Sequence, residues 1–235
     1  MDFKAADNDL EFGAIRVSDT QTSISQFLAS YRFSFSDRFG NNTGRIRLVV
    51  SPGDMTNDNS DASFSASRFA ASSDYAYFEG SFSRVTPLTR WLPFGARLFS
   101  ELVMQYANEN LLASEQLAVG GYRSVRGYDD FEVTGEIGLY ARNELRGGAI
   151  RLLNALRPAI VDQLLPLIFT DYGVAKSKNR LPGEPIAHLW SAGLGFRYQV
   201  ASFLNFRFDY GWQLKDIPTS QAGAGRMHAA LMLSY

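Results

Sequence analysis

The sequence predicts an all-β fold, an antiparallel transmembrane β-barrel with about ten strands. Three observations predict it. Apolar and polar residues alternate over runs long enough to cross a bilayer. In Leu204–Leu214 every even position is apolar or aromatic, and every odd position is polar or glycine. A period of two marks a strand with one apolar and one wet face. A tilted membrane strand needs roughly 9–11 residues, whereas strands of soluble sandwiches average nearer five or six. The wet face carries charges of both signs, which suits a water-filled lumen. Finally, short and long connections alternate, as in outer-membrane barrels.

Each strand follows from the same period. A weak run covers Leu10 to Val17. Phe27, Ala29, Tyr31, Phe33 and Phe35 alternate with Ser30, Arg32 and Ser34, and Ile46, Leu48 and Val50 alternate with Arg45 and Arg47. Ala76, Phe78, Gly80 and Phe82 form the next apolar face, followed by Ala96, Leu98, Leu102, Met104 and Tyr106. Ile137, Leu139, Ala141 and Leu145 alternate with Gly138, Tyr140, Arg142, Glu144 and Arg146. A strand through Phe169 precedes Ala192–Val200, Leu204–Leu214 and a final run in which Met227, Ala229, Leu231, Leu233 and Tyr235 share one face. Arg32, Arg47, Arg97, Glu101, Arg142, Glu144, Arg197, Arg207 and Asp209 all fall on the wet side. The outer face of a sandwich would look the same in isolation, and strand length favours the barrel. Expected short turns are Asp37–Gly44, Thr86–Leu92 and Ala201–Phe203. Expected long loops are Gly53–Ser73, Ala107–Gly135, Ala175–His188 and Lys215–Gly225. Gly147–Gln163 breaks the pattern and reads as an irregular or partly helical insertion carrying Leu152, Leu153, Leu156, Ile160 and Val161.

Composition narrows the function. Lys+Arg 23 against Asp+Glu 24 lacks the basic excess of a nucleic-acid footprint. With Cys 0, disulfides, thiolate metal sites and thiol nucleophiles are excluded. No run of about 18 apolar residues predicts a membrane helix. Met1–Asp7 lacks the basic start and apolar core of a signal peptide. The expectation is a mature or trimmed chain, or a piece of a longer protein: one barrel domain over residues 1–235, incomplete. His188 is expected in a loop and His228 toward the lumen. Neither sits in a cluster with ligand spacing, so no metal site or cofactor is expected. The acidic stretch Asp54–Asp61 lacks the sixth-position glycine and twelfth-position glutamate of a calcium loop and reads as a solvated loop. Gly-x-Ser-x-Gly, P-loop and dinucleotide motifs are absent, so no enzyme is expected.

The most informative stretch is Gly120-Gly121-Tyr122-Arg123-Ser124-Val125-Arg126-Gly127-Tyr128, in the longest predicted loop. It is preceded by Leu111-Leu112-Ala113-Ser114-Glu115-Gln116. It is followed by Ala141-Arg142-Asn143-Glu144-Leu145-Arg146, by Phe169-Thr170-Asp171-Tyr172-Gly173 and by Ser191-Ala192-Gly193-Leu194-Gly195-Phe196-Arg197. This order of motifs resembles the two-partner-secretion transporters of the ShlB/FhaC/HecB family, over about Arg45 to Tyr235 and more loosely before that. The resemblance implies the last ten or so strands of a sixteen-stranded barrel, without the two POTRA domains of the family. Gly135-Glu136 departs from the family's usual Gly-Asp.

The resemblance further implies that the loop folds into the lumen and that Val125, Arg126, Gly127 and Tyr128 form a latch on Phe169 and Asp171. Arg142 and Glu144 would support it from the inner wall. Gly127 would permit a close approach or positive φ, and Tyr128 would pack and donate a hydrogen bond. Leu231, Leu233 and Tyr235 resemble the C-terminal sorting signal of outer-membrane barrels. The implied partners are a secreted cargo polypeptide, outer-membrane lipid and the barrel-assembly machinery, and the implied location is the Gram-negative outer membrane. An assembly insertase of the BamA/TamA type and a passive porin stay open as alternatives.

Overall fold

A computed structural model describes residues 2–12, 15–92, 95–153 and 160–234, with side chains from residue 22 onward. Ten strands form one antiparallel sheet in which each strand pairs with the next. They are β1 (Asp2–Phe12), β2 (Ile15–Asp37), β3 (Gly40–Pro52), β4 (Asp74–Pro87), β5 (Arg97–Ala107), β8 (Ile137–Arg146), β9 (Asp162–Lys176), β10 (His188–Val200), β11 (Leu204–Gln213) and β12 (Gly225–Leu233). Between β5 and β8 the chain adds a small ladder of β6 (Leu117–Val119) and β7 (Val133–Gly135). A short helix, α1 (Asp61–Ser67), lies between β3 and β4. No described helix is long and apolar enough to cross a membrane.

Register carries the alternation across the sheet. Residues directly opposite on neighbouring strands share a face. Arg32, Arg45, Ser81, Val103, Tyr140 and Gly173 form one such row, and Arg47, Glu79, Gln105 and Gly138 another. This inner face bears the charges, and Arg45 and Arg47 both reach Glu79, at 2.8 and 3.1 Å. The outer face exposes Phe27, Tyr31, Leu48, Ile168, Leu194 and Leu231. A continuous exposed apolar belt fits lipid rather than water. The sheet curls round a loop that touches β2 and β4 at one side of the wall and β11 and β12 at the other. Among the described residues β1 pairs only with β2 and β12 only with β11.

Several boundaries differ from the sequence reading. The weak Leu10–Val17 run is stranded in its described residues but is not one strand. It spans the end of β1 and the start of β2, and the residues between them, Gly13 and Ala14, lie outside the described set. The missed strand is β1 itself. Its Asp7-Asn8-Asp9 stretch hides any period of two, and its pairing with residues 15–26 of β2 supplies the order instead. The turn expected at Asp37–Gly44 shrinks to Arg38 and Phe39, because β3 already starts at Gly40. His188 opens β10 rather than sitting in a loop, paired with Val174 and with its Nδ1 2.8 Å from the Tyr172 hydroxyl. The 147–161 connection shows no helix among its described residues. Ile150 forms a bridge to Leu164, and Leu156 lies outside the described set, as does Tyr235.

Candidate functional site: an arginine loop on the inner wall

The chain between β5 and β8 folds back against the inner face. Its entry leg makes one 3-10 turn at Ala113–Glu115, and the β6–β7 ladder then forms a stem. The tip, residues 120–132, leaves the stem through Gly120 and Gly121, both at positive φ (119° and 79°). A Cβ on Gly120 would lie 2.3 Å from the Asp129 carbonyl, so the two legs of the tip meet only because glycine is there. The Ser124 hydroxyl closes the turn, accepting from Gly120 N at 2.7 Å and donating to Gly120 O at 2.8 Å.

Arg126 is the centre of this tip and is fully buried. Its Nε and Nη2 donate to the two Asp171 carboxylate oxygens at 2.7 and 2.9 Å, a bidentate fork. Its backbone N–H adds a third bond to Asp171 at 3.2 Å. Nη1 donates to Glu144 at 2.7 Å and to Asp209 at 3.2 Å. The guanidinium carbon sits 3.6 Å from the centre of the Phe169 ring, stacked for a cation–π contact. One cation thus binds carboxylates from β8, β9 and β11, three strands that register alone brings to one face.

The surrounding charges balance. Arg142 and Arg146 both reach Glu144, at 3.4 and 2.7 Å, and Arg142 also reaches Glu101 at 3.3 Å. Arg197 pairs with Asp209 at 3.0 Å. Four guanidiniums therefore face four carboxylates, which is how charges persist away from water. Burial works against the Arg126 charge, but the Asp171 hydrogen bonds and the Asp171, Glu144 and Asp209 charges hold its pKa above the ordinary arginine value.

The neighbours of Arg126 shape the fit. Gly127 has φ 93°, and a Cβ there would lie 3.0 Å from the Gly211 carbonyl oxygen, so tip and wall touch backbone to backbone. Gly193 clears space on β10: a Cβ there would lie 2.3 Å from the Phe169 ring. Tyr128 is fully buried, and its hydroxyl donates toward the Trp190 and Lys215 carbonyls at 3.0 and 3.1 Å. Burial pushes that hydroxyl above the ordinary phenol range, so it remains a donor. Val125 packs in a buried cluster with Val119, Tyr128, Ala175 and Leu189. Leu231 and Leu233 lie on the exposed face of β12, away from this constellation.

Residues 1–198 match the family model of the haemolysin secretion/activation protein ShlB/FhaC/HecB. The chain belongs to this family. Among solved structures it is similar to CdiB from Escherichia coli, with a TM-score of 0.71 and 17% identity over 94% of this chain. It is also similar to CdiB from Acinetobacter baumannii, with a TM-score of 0.67 and 18% identity over 99% of this chain. The chain spans 38% of the length of each. At such identities the likeness shows the fold. No curated protein matches the chain. As a ShlB/FhaC/HecB member the chain is an integral protein of the Gram-negative outer membrane. The end bearing the long loops is taken as the exterior.

Three residues of this ShlB/FhaC/HecB chain stand at the loop without having been singled out for it in the sequence. Asp209 was visible as a wet-face residue but not as a third partner of Arg126. Glu115 accepts from the Tyr77 hydroxyl at 2.8 Å and from Gln26 Nε2 at 3.3 Å, which fastens the loop's entry leg to β4 and β2. Glu136 is fully buried at the loop's exit. For Glu115 the available signal was its Ser-Glu-Gln context. For Asp209 and Glu136 only the register and the meeting of loops reveal the role.

Proposed function

We propose that this chain forms part of a two-partner-secretion conduit. Through it a large unfolded exoprotein of the haemolysin or adhesin kind leaves the periplasm, gated by the Val125-Arg126-Gly127-Tyr128 loop. The observation that carries the reading is Arg126, fully buried and bound by carboxylates of three strands. A loop so fastened narrows the bore, which suits a gate better than an open water-filled channel.

At rest the tip obstructs the lumen. Its release exchanges a dry five-bond contact for separate hydrated charges. In the dry state, removing one partner of such a pair costs about 3–5 kcal/mol. Once water enters, a pair is worth only about 0–1 kcal/mol. The latch is therefore strong when closed and weak once wetted, which suits a gate that must hold and then let go. The sequence carries no nucleotide-binding motif, and folding of the cargo outside the cell supplies direction. Leu231, Leu233 and Tyr235 serve as the sorting signal toward the barrel-assembly machinery.

Arg126→Ala in the full-length gene product tests the reading. Secretion should fall to background while the barrel keeps its heat-modifiable electrophoretic mobility. Normal secretion by that variant would refute the gate.

A further inference from the structure

Glu136 is fully buried where the arginine loop rejoins the wall, one residue after β7 and one before β8. Its carboxylate collects donors from three separate exterior segments. Leu111 N–H, at 3.3 Å, and Gln116 Nε2, at 2.7 Å, come from the loop's own entry leg. Lys178 N–H, at 3.0 Å, comes from the β9–β10 loop. Arg68 Nη1, at 2.7 Å, comes from the β3–β4 loop just after α1. Arg68 also donates to the Leu111 carbonyl at 2.6 Å and to the Ser177 hydroxyl at 3.3 Å. Beside it Asn110 and Asn179 bond in both directions, at 3.1 and 2.7 Å. The stem is thus tied to both neighbouring loops, as well as through its own β6–β7 ladder.

The tip is built differently. It meets the stem at positive-φ residues on both legs, Gly120 and Gly121 on one side and Phe131 (φ 59°) on the other. Beyond those bends its polar ties to the wall are those of Arg126, Gly127 and Tyr128, with an exposed ion pair from Asp129 to Arg226 on β12.

We infer that Glu136 is a positioning residue for the transport proposed above. It pins the stem at the exterior rim, so that the loop opens as a flap bending at Gly120, Gly121 and Phe131 while the stem stays in place. A pinned stem keeps Arg126 within reach of Asp171 after each opening. An unpinned stem lets the tip wander, and the gate closes poorly. The inference rests on the gate reading, and the test separates the two.

In the full-length gene product, Glu136→Ala should raise resting single-channel conductance in planar bilayers and lower secretion several-fold, with heat-modifiable mobility unchanged. Because these 235 residues have Cys 0, an Asn110→Cys/Asn179→Cys pair, with any cysteine elsewhere in the gene product replaced, gives one defined cross-link from the loop's entry leg, at the foot of the stem, to the β9–β10 loop. In the Glu136→Ala background, oxidising that pair should restore low conductance and secretion, and reductant should abolish the rescue. With Glu136 intact, the oxidised pair should secrete at least as well as its own reduced form. A Tyr122→Cys/Arg207→Cys pair joined by a reducible bismaleimide holds tip to wall, and it should block secretion until reduced. The inference is overturned if the oxidised stem pair blocks secretion as the tip pair does, or if Glu136→Ala closes and secretes like the parent. That outcome with Arg126→Ala still inactive removes only the pinned stem. Normal secretion by Arg126→Ala removes the gate itself.

Discussion

Arg126 shows why this position demands a guanidinium. Its fork spans both oxygens of Asp171 and leaves Nη1 for Glu144 and Asp209. Lysine offers one compact ammonium and cannot satisfy that planar pattern. Arg126→Lys should therefore behave nearly as Arg126→Ala in secretion assays, and secretion near the parent level would show that charge alone suffices. Asp171→Asn keeps an oxygen acceptor but loses the charge. At about 3–5 kcal/mol for a broken buried pair, the open population of the proposed gate should rise by roughly two to four orders of magnitude, read as resting conductance. A charge swap is more discriminating. Were Asp171 the only partner, Arg126→Asp with Asp171→Arg would restore the latch. With Glu144 and Asp209 remaining, the carboxylate introduced on the loop would face two others. The guanidinium introduced on β9 would sit opposite Arg142 in the ladder. The swap should stay open in conductance measurements, and a closed double variant would refute the three-carboxylate site. Asp171 could be named from the sequence because a motif carried it. Glu144 and Asp209 could be placed on the wet face, but their meeting at one cation depends on register between strands far apart in the chain.

At the scale of elements, periodicity read well where one face meets lipid and the other water. β11 and the Gly53–Ser73 loop lie close to their expected limits, β10 ends where expected, and the Ala201–Phe203 turn is as expected. Periodicity failed where apolar and polar residues do not alternate, as in the sequence Asp2–Phe12 of β1, and where loops meet one another, since such contacts obey no period. The acidic stretch before α1 illustrates the second case. Asp61 begins α1 after the Ser60 cap and accepts from Ser73 N–H at 2.7 Å and from the Ser72 and Ser73 hydroxyls at 3.0 Å. Those bonds, the Ser73 backbone first, hold its carboxyl below the ordinary range. A depressed folded pKa adds stability above the unfolded value, roughly 3.9, and that stability is lost as pH falls through the folded value. Asp61→Ala should thus loosen the Gly53–Ser73 loop, seen as faster protease nicking at neutral pH. Acidification below about pH 4 should bring the parent toward the variant, and equal nicking rates at neutral pH would show that Asp61 fastens nothing.

The whole molecule is a wall with two solvents, and its two faces should answer substitution in opposite ways. Leu194 on β10 points outward and is 47% exposed, in the belt with Ile168 and Leu231. Ser81 on β4 points inward, where it lines a cavity of about 740 Å³ together with Arg45, Glu79, Glu101 and Tyr122. An arginine placed outward must enter hydrocarbon, at a cost of about 2–4 kcal/mol near the bilayer midplane. The same arginine placed inward enters a wet, mixed-charge space with Glu79 and Glu101 nearby. Leu194→Arg should therefore reduce folding yield into lipid vesicles, judged by heat-modifiable mobility. Ser81→Arg should fold like the parent yet shift conductance and ion selectivity toward anions. If the inward variant failed to fold while the outward one inserted normally, the inner and outer faces assigned to these strands would be reversed. The lumenal placement of Arg126 would then be lost with them, because Asp171 shares a register row with Glu101 of that cavity, and Glu144 and Asp209 lie on the same face of the sheet.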